Sequence, residues 1–356
     1  MKKHEADKNF VTYSAKKDEY DFHNYRELTI EGLPFYNENK NFTRLPIPMV
    51  ETFSENMQEI CKGSPGTVIR FRTNSKKMAL YCEYDWKRES DSLSQMTDAG
   101  FDLYKFSDGE FRLCNNFRPG IGEDTLDMEM TVSDDNEMYD YMLYLPLCSW
   151  VRDFDIGIDK GSIIEKGSER KNKKKILFYG SSVTHGACAS RPGLTYPVLL
   201  GRMLDCEIIN LGFSGNCFGE EVIARKMAEL DFDLFVMEYG YNAETVEYFK
   251  ATHEPFFKII RQSHPDVPVI FLSRPEFEAK TTPIQAGIKQ VIKETYQNAV
   301  DAGDKLVHFI DGRDMFPDFM RGDYSTPENV HPNDRGFFEM AKTIYKIAEK
   351  YIKTED

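Results

Sequence analysis

Residues 173–190 read KKKILFYGSSVTHGACAS. Lys175 to Gly180 form a compact apolar run of strand length, and the chain then turns to Gly-Ser-Ser instead of continuing it. Four more runs of this kind follow: CEIINLG (206–212), DLFVMEYG (233–240), VPVIFLS (267–273) and KLVHFIDG (305–312). The intervening segments, such as ETVEYFKATHEPFFKIIRQS (244–263) and IQAGIKQVIKETYQNAV (284–300), space their apolar residues at helical intervals, and FFEMAKTIYKIAEKYI (337–352) supplies a closing helix. Strands alternating with helices predict an α/β fold built on a doubly wound, five-stranded parallel sheet.

Upstream of Lys175 the pattern is different. TVIRFRTN (67–74) alternates apolar and polar positions, as a half-buried strand does. FDLYKFSDGEFRLC (101–114) reads as a hairpin turning at Ser107-Asp108-Gly109, and MTVSDDNEMYDYMLYLPL (130–147) as a second hairpin with an acidic tip. Strands separated by turns, without helical periodicity, predict an antiparallel β-sandwich. The polar, basic stretch EKGSERKNKKK (165–175) is expected to be a solvated linker. The expected division is therefore 1–165, a linker at 166–174, and 175–356.

A length of 356 residues suits about two domains. The net charge of −14 argues against a nucleic-acid partner, whose phosphates need a basic face. No apolar run approaches the roughly 20 residues of a membrane span. Seven cysteines without CxxC spacing favour neither a zinc cluster nor a disulfide framework, and a reducing compartment is expected. MKKHEADKNF has no apolar segment behind its charged start, so a cytoplasmic location is expected, or an exported one had a signal preceded it.

Ligands of open parallel sheets bind beyond the carboxyl ends of the strands. There the chain places Gly180-Ser181-Ser182, then Gly212, Ser214, Gly215 and Asn216, then Gly240-Tyr241-Asn242, and later ENVHPND with Glu328 three residues before His331. Each has an ordinary structural reading: a cap, a loop, an N-cap at Asn242 for the helix starting near Glu244, a break at His331-Pro332. Together they make a complete reaction set. A serine nucleophile needs a base, the base gains from a carboxylate that fixes its tautomer, and a tetrahedral oxyanion needs converging donors.

These blocks resemble those of the SGNH (GDSL-type) hydrolases over residues 175–353. Gly180-Ser181-Ser182-Val183-Thr184-His185-Gly186 is similar to the first block, with Ser where Asp is usual; Gly215 in NLGFSGN matches the second; Gly240-Tyr241-Asn242 the third; and Glu328-Asn329-Val330-His331 the fifth. GFDLY (100–104), PFYNENKNFTRLPIP (34–48) and YLPLCSW (144–150) resemble the GxDLY-type domain that precedes such hydrolases in some bacterial proteins. The resemblance implies a flavodoxin-like three-layer catalytic domain behind a jelly-roll-like sandwich. It implies Ser182 as nucleophile, His331 as base, and Ser182, Gly215 and Asn242 as oxyanion hole. It departs at Glu328, where Asp is usual; Asp323 is the weaker substitute. His185 is expected to line the pocket, and Arg274 and Tyr241 to contact substrate.

The implied function is a serine esterase acting on short acyl esters, O-acetyl groups on carbohydrate foremost. An acyltransferase and a non-catalytic carbohydrate-binding protein are the alternatives. No cofactor or metal is expected. The expected partner is a small-molecule or carbohydrate ester, without nucleic acid or membrane, and homo-oligomerisation is left open. Aromatics of YCEYDW (81–86) are candidates to stack on a sugar.

Overall fold

The computed structural model describes residues 17–88, 93–120, 122–278 and 281–353; the opening stretch MKKHEADKNF lies outside the described residues. Among the described residues the N-terminal half holds ten strands: β1 (Tyr20–Asn24), β2 (Thr29–Glu31), β3 (Val68–Thr73), β4 (Lys77–Trp86), β5 (Phe101–Ser107), β6 (Glu110–Phe117), β7 (Thr125–Thr131), β8 (Tyr139–Tyr144), β9 (Trp150–Asp159) and β10 (Ile164–Lys166). They form two antiparallel sheets, ordered β1-β9-β4-β7 and β10-β3-β8-β5-β6, with β2 pairing β3. Ile69, Phe71, Leu103 and Leu143 from one sheet and Leu80, Leu126, Phe154 and Ile156 from the other share one core. This is the face-to-face packing of a sandwich.

The β5–β6 hairpin turns where expected, with Asp108 and Gly109 both at positive φ (53° and 85°). Such a turn matches the twist of the flanking strands. The second expected hairpin does not form. β7 pairs β4 and β8 pairs β3 and β5, so residues 132–138 carry the chain from one sheet to the other. Apolar alternation marks both strands but says nothing of which sheet each joins. Nor is β3 half-buried: only Arg72 keeps partial exposure, because the outward-facing Arg70 is claimed by Glu31 and the Ser168 carbonyl.

The C-terminal half is a parallel sheet of β11 (Lys175–Gly180), β12 (Glu207–Gly212), β13 (Leu234–Glu238), β14 (Val269–Leu272) and β15 (Val307–Ile310), in the order β12-β11-β13-β14-β15. Alternate residues of β11 serve two cores. Ile176 and Phe178 face helices Tyr196–Met203 and Asp334–Ile352. Leu177 and Tyr179 face Glu221–Met227, Val246–Ser263 and Pro283–Asp301. This is the predicted three-layer, doubly wound arrangement, with the order reversing around β11. Among the described residues no helix is long and apolar enough to cross a membrane.

The basic stretch between the halves is not solvated throughout. Arg170 is nearly buried and paired with Glu31 and Asp205, and Asn172 donates to the carbonyls of Leu204 and Ile352. A charged run looks solvated in sequence; long-range partners from both sides pin this one. The halves also share apolar packing, since Val68, Tyr104, Met142 and Tyr144 join the cluster of Ile176, Phe178 and Tyr196.

The GFDLY segment shows how the two halves dock. Asp102 Oδ2 accepts the Gly193 N–H and an Arg191 N–H, both at 2.8 Å, and Arg191 also donates to the Tyr104 hydroxyl at 2.6 Å. A Cβ on Gly193 would stand 2.4 Å from that hydroxyl oxygen, so only glycine fits. Arg44, 1% exposed, donates to the carbonyls of Gly63 and Ile60 in its own half and of Asn210 and Gly212 in the other, and its guanidinium lies over the Phe213 ring. Burial pushes its pKa down to about 10. It meets carbonyl dipoles instead of a carboxylate.

Candidate active site

Ser182 opens a single helical turn, Ser182–His185, directly beyond the carboxyl end of β11. Ser181 caps that turn, its Oγ accepting the Val183 N–H, and Gly186 closes it at φ 100°. Beneath it lies a group the sequence reading missed. Glu238, the last residue of β13, is fully buried, and its carboxylate accepts hydrogen bonds from the Ser181 N–H and hydroxyl and the Thr184 hydroxyl. The acid usual at position 181 is thus replaced by serine, and a neighbouring strand supplies a carboxyl under the same turn. A carboxylate in the otherwise apolar run DLFVMEYG was the available signal.

Burial outweighs the donors around Glu238 and pushes its pKa up to about 7. A raised folded-state pKa favours the protonated form. Its stabilising contribution is complete below the ordinary glutamate value near 4.5 and is lost as pH rises through about 7. Glu238→Gln removes that loss. Its Tm relative to wild type should rise by about 3 °C or more between pH 5 and pH 8, read by thermal melts. A pH-independent difference would show that Glu238 does not titrate there.

His331 lies in the loop before the last helix. Its Nε2 is 2.8 Å from Ser182 Oγ and its Nδ1 is 2.7 Å from Glu328 Oε1. Asn329, at φ 58°, turns the chain between Glu328 and His331, and the Thr326 N–H to His331 carbonyl bond of 2.9 Å closes the loop. Partial burial opposes the charge on Glu328, but the hydrogen bonds from His331, the backbone and Thr326 together outweigh it and hold the carboxyl below its ordinary value. Asp323 stands in the preceding turn, Arg321–Tyr324, and takes no part in this pair.

Gly215 and Asn242 follow β12 and β13, the two neighbours of the strand that delivers Ser182. Gly215 sits at φ 70° with open space where a Cβ would point. Asn242 does not cap the next helix; Thr245 does. Its Oδ1 instead accepts the Cys217 N–H at 3.3 Å, which ties the two loops together and orients the amide. Among the described residues, no acceptor meets the Ser182 and Gly215 N–H groups or Asn242 Nδ2.

Three expected substrate contacts are placed differently. His185 is fully buried and lines no pocket: its ring nitrogens lie 3.1 Å from the Gly212 carbonyl and 3.0 Å from the Leu147 carbonyl, and burial pushes its pKa down to about 3. Arg274 is committed to Glu278 and lies over the Tyr241 ring. The Tyr241 hydroxyl donates toward the carbonyls of Pro275 and Val330, each at 3.0 Å, and so holds the His331 loop against the end of β14. All three brace the site.

A cleft of about 180 Å³ opens beside the Gly215–Asn216 loop, lined by Asn56, Trp86, Arg88, Cys148, Trp150 and Asn216. It brings together both tryptophans of the chain, with centroids 5.0 Å apart and Trp86 42% exposed. Neither this cleft nor a larger groove of about 710 Å³, between the β5–β6 hairpin and helix Tyr196–Met203, is lined by Ser182, His331 or Glu328. Chemistry, not volume, marks the site.

A parallel sheet of this order, with serine, histidine and a carboxylate aligned at its carboxyl edge, defines the class: an SGNH-type carboxylic ester hydrolase. Residues 173–349 match the GDSL-like Lipase/Acylhydrolase family, and residues 20–164 match the GxDLY family, described as the N-terminus of SGNH-hydrolase-type esterases. The chain belongs to the GDSL-like acylhydrolases that carry a GxDLY N-terminal domain.

A Bacteroides ovatus protein classed as a GDSL-like lipase superposes with a TM-score of 0.85 at 27% identity, covering 94% of this chain and all of that one. The salicylyl-acyltransferase SsfX3 of a tetracycline biosynthetic pathway gives 0.74 at 20% identity over 93% and 98%. A family two carbohydrate esterase from Clostridium thermocellum, in complex with cellohexaose, gives 0.60 at 13% identity over 80% and 92%. The latter two share the fold. No curated protein matches the chain.

Proposed function

We propose that this protein hydrolyses short-chain acyl esters, O-acetyl groups on carbohydrate foremost, through Ser182, His331 and Glu328. The observation that carries the reading is the continuous Glu328–His331–Ser182 chain of hydrogen bonds at 2.7 and 2.8 Å. Glu328 keeps the proton on His331 Nδ1, which leaves the Nε2 lone pair facing Ser182 Oγ. As Oγ attacks the ester carbonyl, Nε2 takes its proton. The oxyanion is received by the N–H groups of Ser182 and Gly215 and by Asn242 Nδ2. His331 then returns the proton to the departing alcohol, and water repeats the sequence in reverse to free the acid.

The substrate class rests on the small cleft beside the site, which meets the oxyanion loop through Asn216, the neighbour of Gly215. At about 180 Å³ it is smaller than the roughly 300–1,000 Å³ of pockets for drug-sized ligands, which suits a short acyl group or one sugar ring. Trp86, 42% exposed, offers an apolar indole face for such a ring, with Trp150 tilted against it. The carbohydrate esterase that shares the fold agrees with this choice; the acyltransferase that also shares it keeps transfer to another alcohol as the rival outcome.

The test is acetate release from acetylated xylo-oligosaccharides, compared with p-nitrophenyl acetate and octanoate. Acetyl esters should be preferred, and Trp86→Ala should lower kcat/KM on the sugar about fivefold, through KM, while sparing p-nitrophenyl acetate; a stacking face is worth about 1 kcal/mol. Faster turnover of octanoate would overturn the short-chain assignment. Acyl transfer to added alcohols in preference to water would favour the transferase.

A further inference from the structure

Cys188 stands over the carboxylate of the proposed triad. Its Sγ lies 3.6 Å from Glu328 Oε1, and one ligand atom each from Cys188, Glu328 and His331 lie within 4.8 Å of one another. Cys188 holds this position at φ 72°, a left-handed conformation disfavoured for any residue with a Cβ. The helical turn that begins at Ser182 closes at Gly186, so the strained residue follows directly from the loop that delivers the nucleophile. Glu328 is 45% exposed and His331 21%, which leaves the cluster open to ions from solvent.

We propose that Cys188, Glu328 and His331 form an inhibitory site for a thiophilic divalent cation of the zinc class. The geometry supports it. Zn–S, Zn–N and Zn–O bonds of about 2.3, 2.0 and 2.0 Å at tetrahedral angles place ligand atoms about 3.3–3.6 Å apart. The Sγ to Oε1 separation of 3.6 Å already meets this, and the Nδ1 to Oε1 separation of 2.7 Å must open by roughly 0.6 Å to do so. Thiolate and carboxylate together neutralise the ion, and three protein ligands leave the fourth position to water.

The site's location decides its consequence. An ion on Nδ1 displaces the proton that Glu328 holds there. The neutral imidazole then carries its proton on Nε2, which points an N–H, instead of a lone pair, at Ser182 Oγ. The base is switched off without any residue leaving its place. The thiol proton is released to solvent. The binding itself does not depend on the esterase reading; only its inhibitory effect does.

Co²⁺ titration of the full chain under reducing conditions reads the site directly, through the near-ultraviolet thiolate-to-cobalt charge-transfer band. One equivalent should produce the band, Zn²⁺ should bleach it by displacement, and Cys188→Ser should abolish it while the variant's circular dichroism stays that of wild type. Absence of the band in folded wild type, or its persistence in Cys188→Ser, would overturn the site. In parallel, Zn²⁺ should inhibit p-nitrophenyl acetate hydrolysis reversibly to EDTA, with at least tenfold weaker inhibition in Cys188→Ser. A cobalt band with undiminished hydrolysis at saturating Zn²⁺ would overturn the inhibitory role. A band in a protein without any hydrolysis would leave the site standing and fault the esterase reading instead.

Discussion

Ser182→Ala should lose ester hydrolysis by a factor of about 10⁴–10⁶ in kcat while keeping its fold. The size follows from the geometry. Ser182 Oγ is the hydroxyl that His331 Nε2 meets at 2.8 Å, and without it no acyl-enzyme forms. Whatever rate survives comes from water attacking an ester polarised by the oxyanion donors, a residual of about 10³ over solution. Ser181 is no substitute, because its hydroxyl is spent on Glu238 and on capping the turn. Intact-mass measurement after fluorophosphonate treatment checks this independently of substrate. Wild type should gain one adduct, mapped to the peptide carrying Ser182, and the variant none. An unlabelled but folded wild type would sink hydrolase and transferase together and revive the non-catalytic sugar-binding alternative.

Glu328→Gln should have the next largest effect. In a buried triad the amide costs about 10⁴ in kcat, because it can donate to the imidazole and stabilise the wrong tautomer. Glu328 is 45% exposed, so water can take over part of its work, and the expected loss is about 10²–10³. The loss should fall on kcat with KM little changed, since Glu328 acts through His331. Glu328→Asp separates reach from charge: the side chain is one methylene shorter, and the 2.7 Å contact with Nδ1 would open. Kinetics of both variants on one ester suffice. A Gln variant with wild-type kcat would show that backbone groups orient His331 unaided.

The parallel half was legible because each of its strands is buried on both faces and so reads as an unbroken apolar run. The ends of those runs fell where the chain carries Ser182, Gly215 and Asn242. The pairing of Glu328 with His331 was expected from the resemblance to the family's fifth block, with Glu in place of Asp. What stayed illegible has one physical origin: partners far apart in sequence. Nothing local distinguishes His185, sandwiched between the carbonyls of Leu147 and Gly212, from a histidine lining a pocket. Arg170 looked solvated until Glu31 claimed it. The sheet crossing between β7 and β8 is invisible to alternation, which counts faces and not neighbours. Trp150 joined the cleft only because β9 lies beside β4.

The contacts of Asp102 and Tyr104 give the GFDLY signature a meaning beyond its own domain. These side chains are held in place less for the sandwich than for Gly193 and Arg191, which follow the nucleophile's turn. Arg44 reaches still deeper, to the two carbonyls at the end of β12 from which the Gly215 loop departs. The two halves are therefore heritable only as a pair. A recombination that exchanged either one across residues 166–174 would leave the Gly215 loop without its brace, and substitutions on one side of the seam will be selected by what stands on the other.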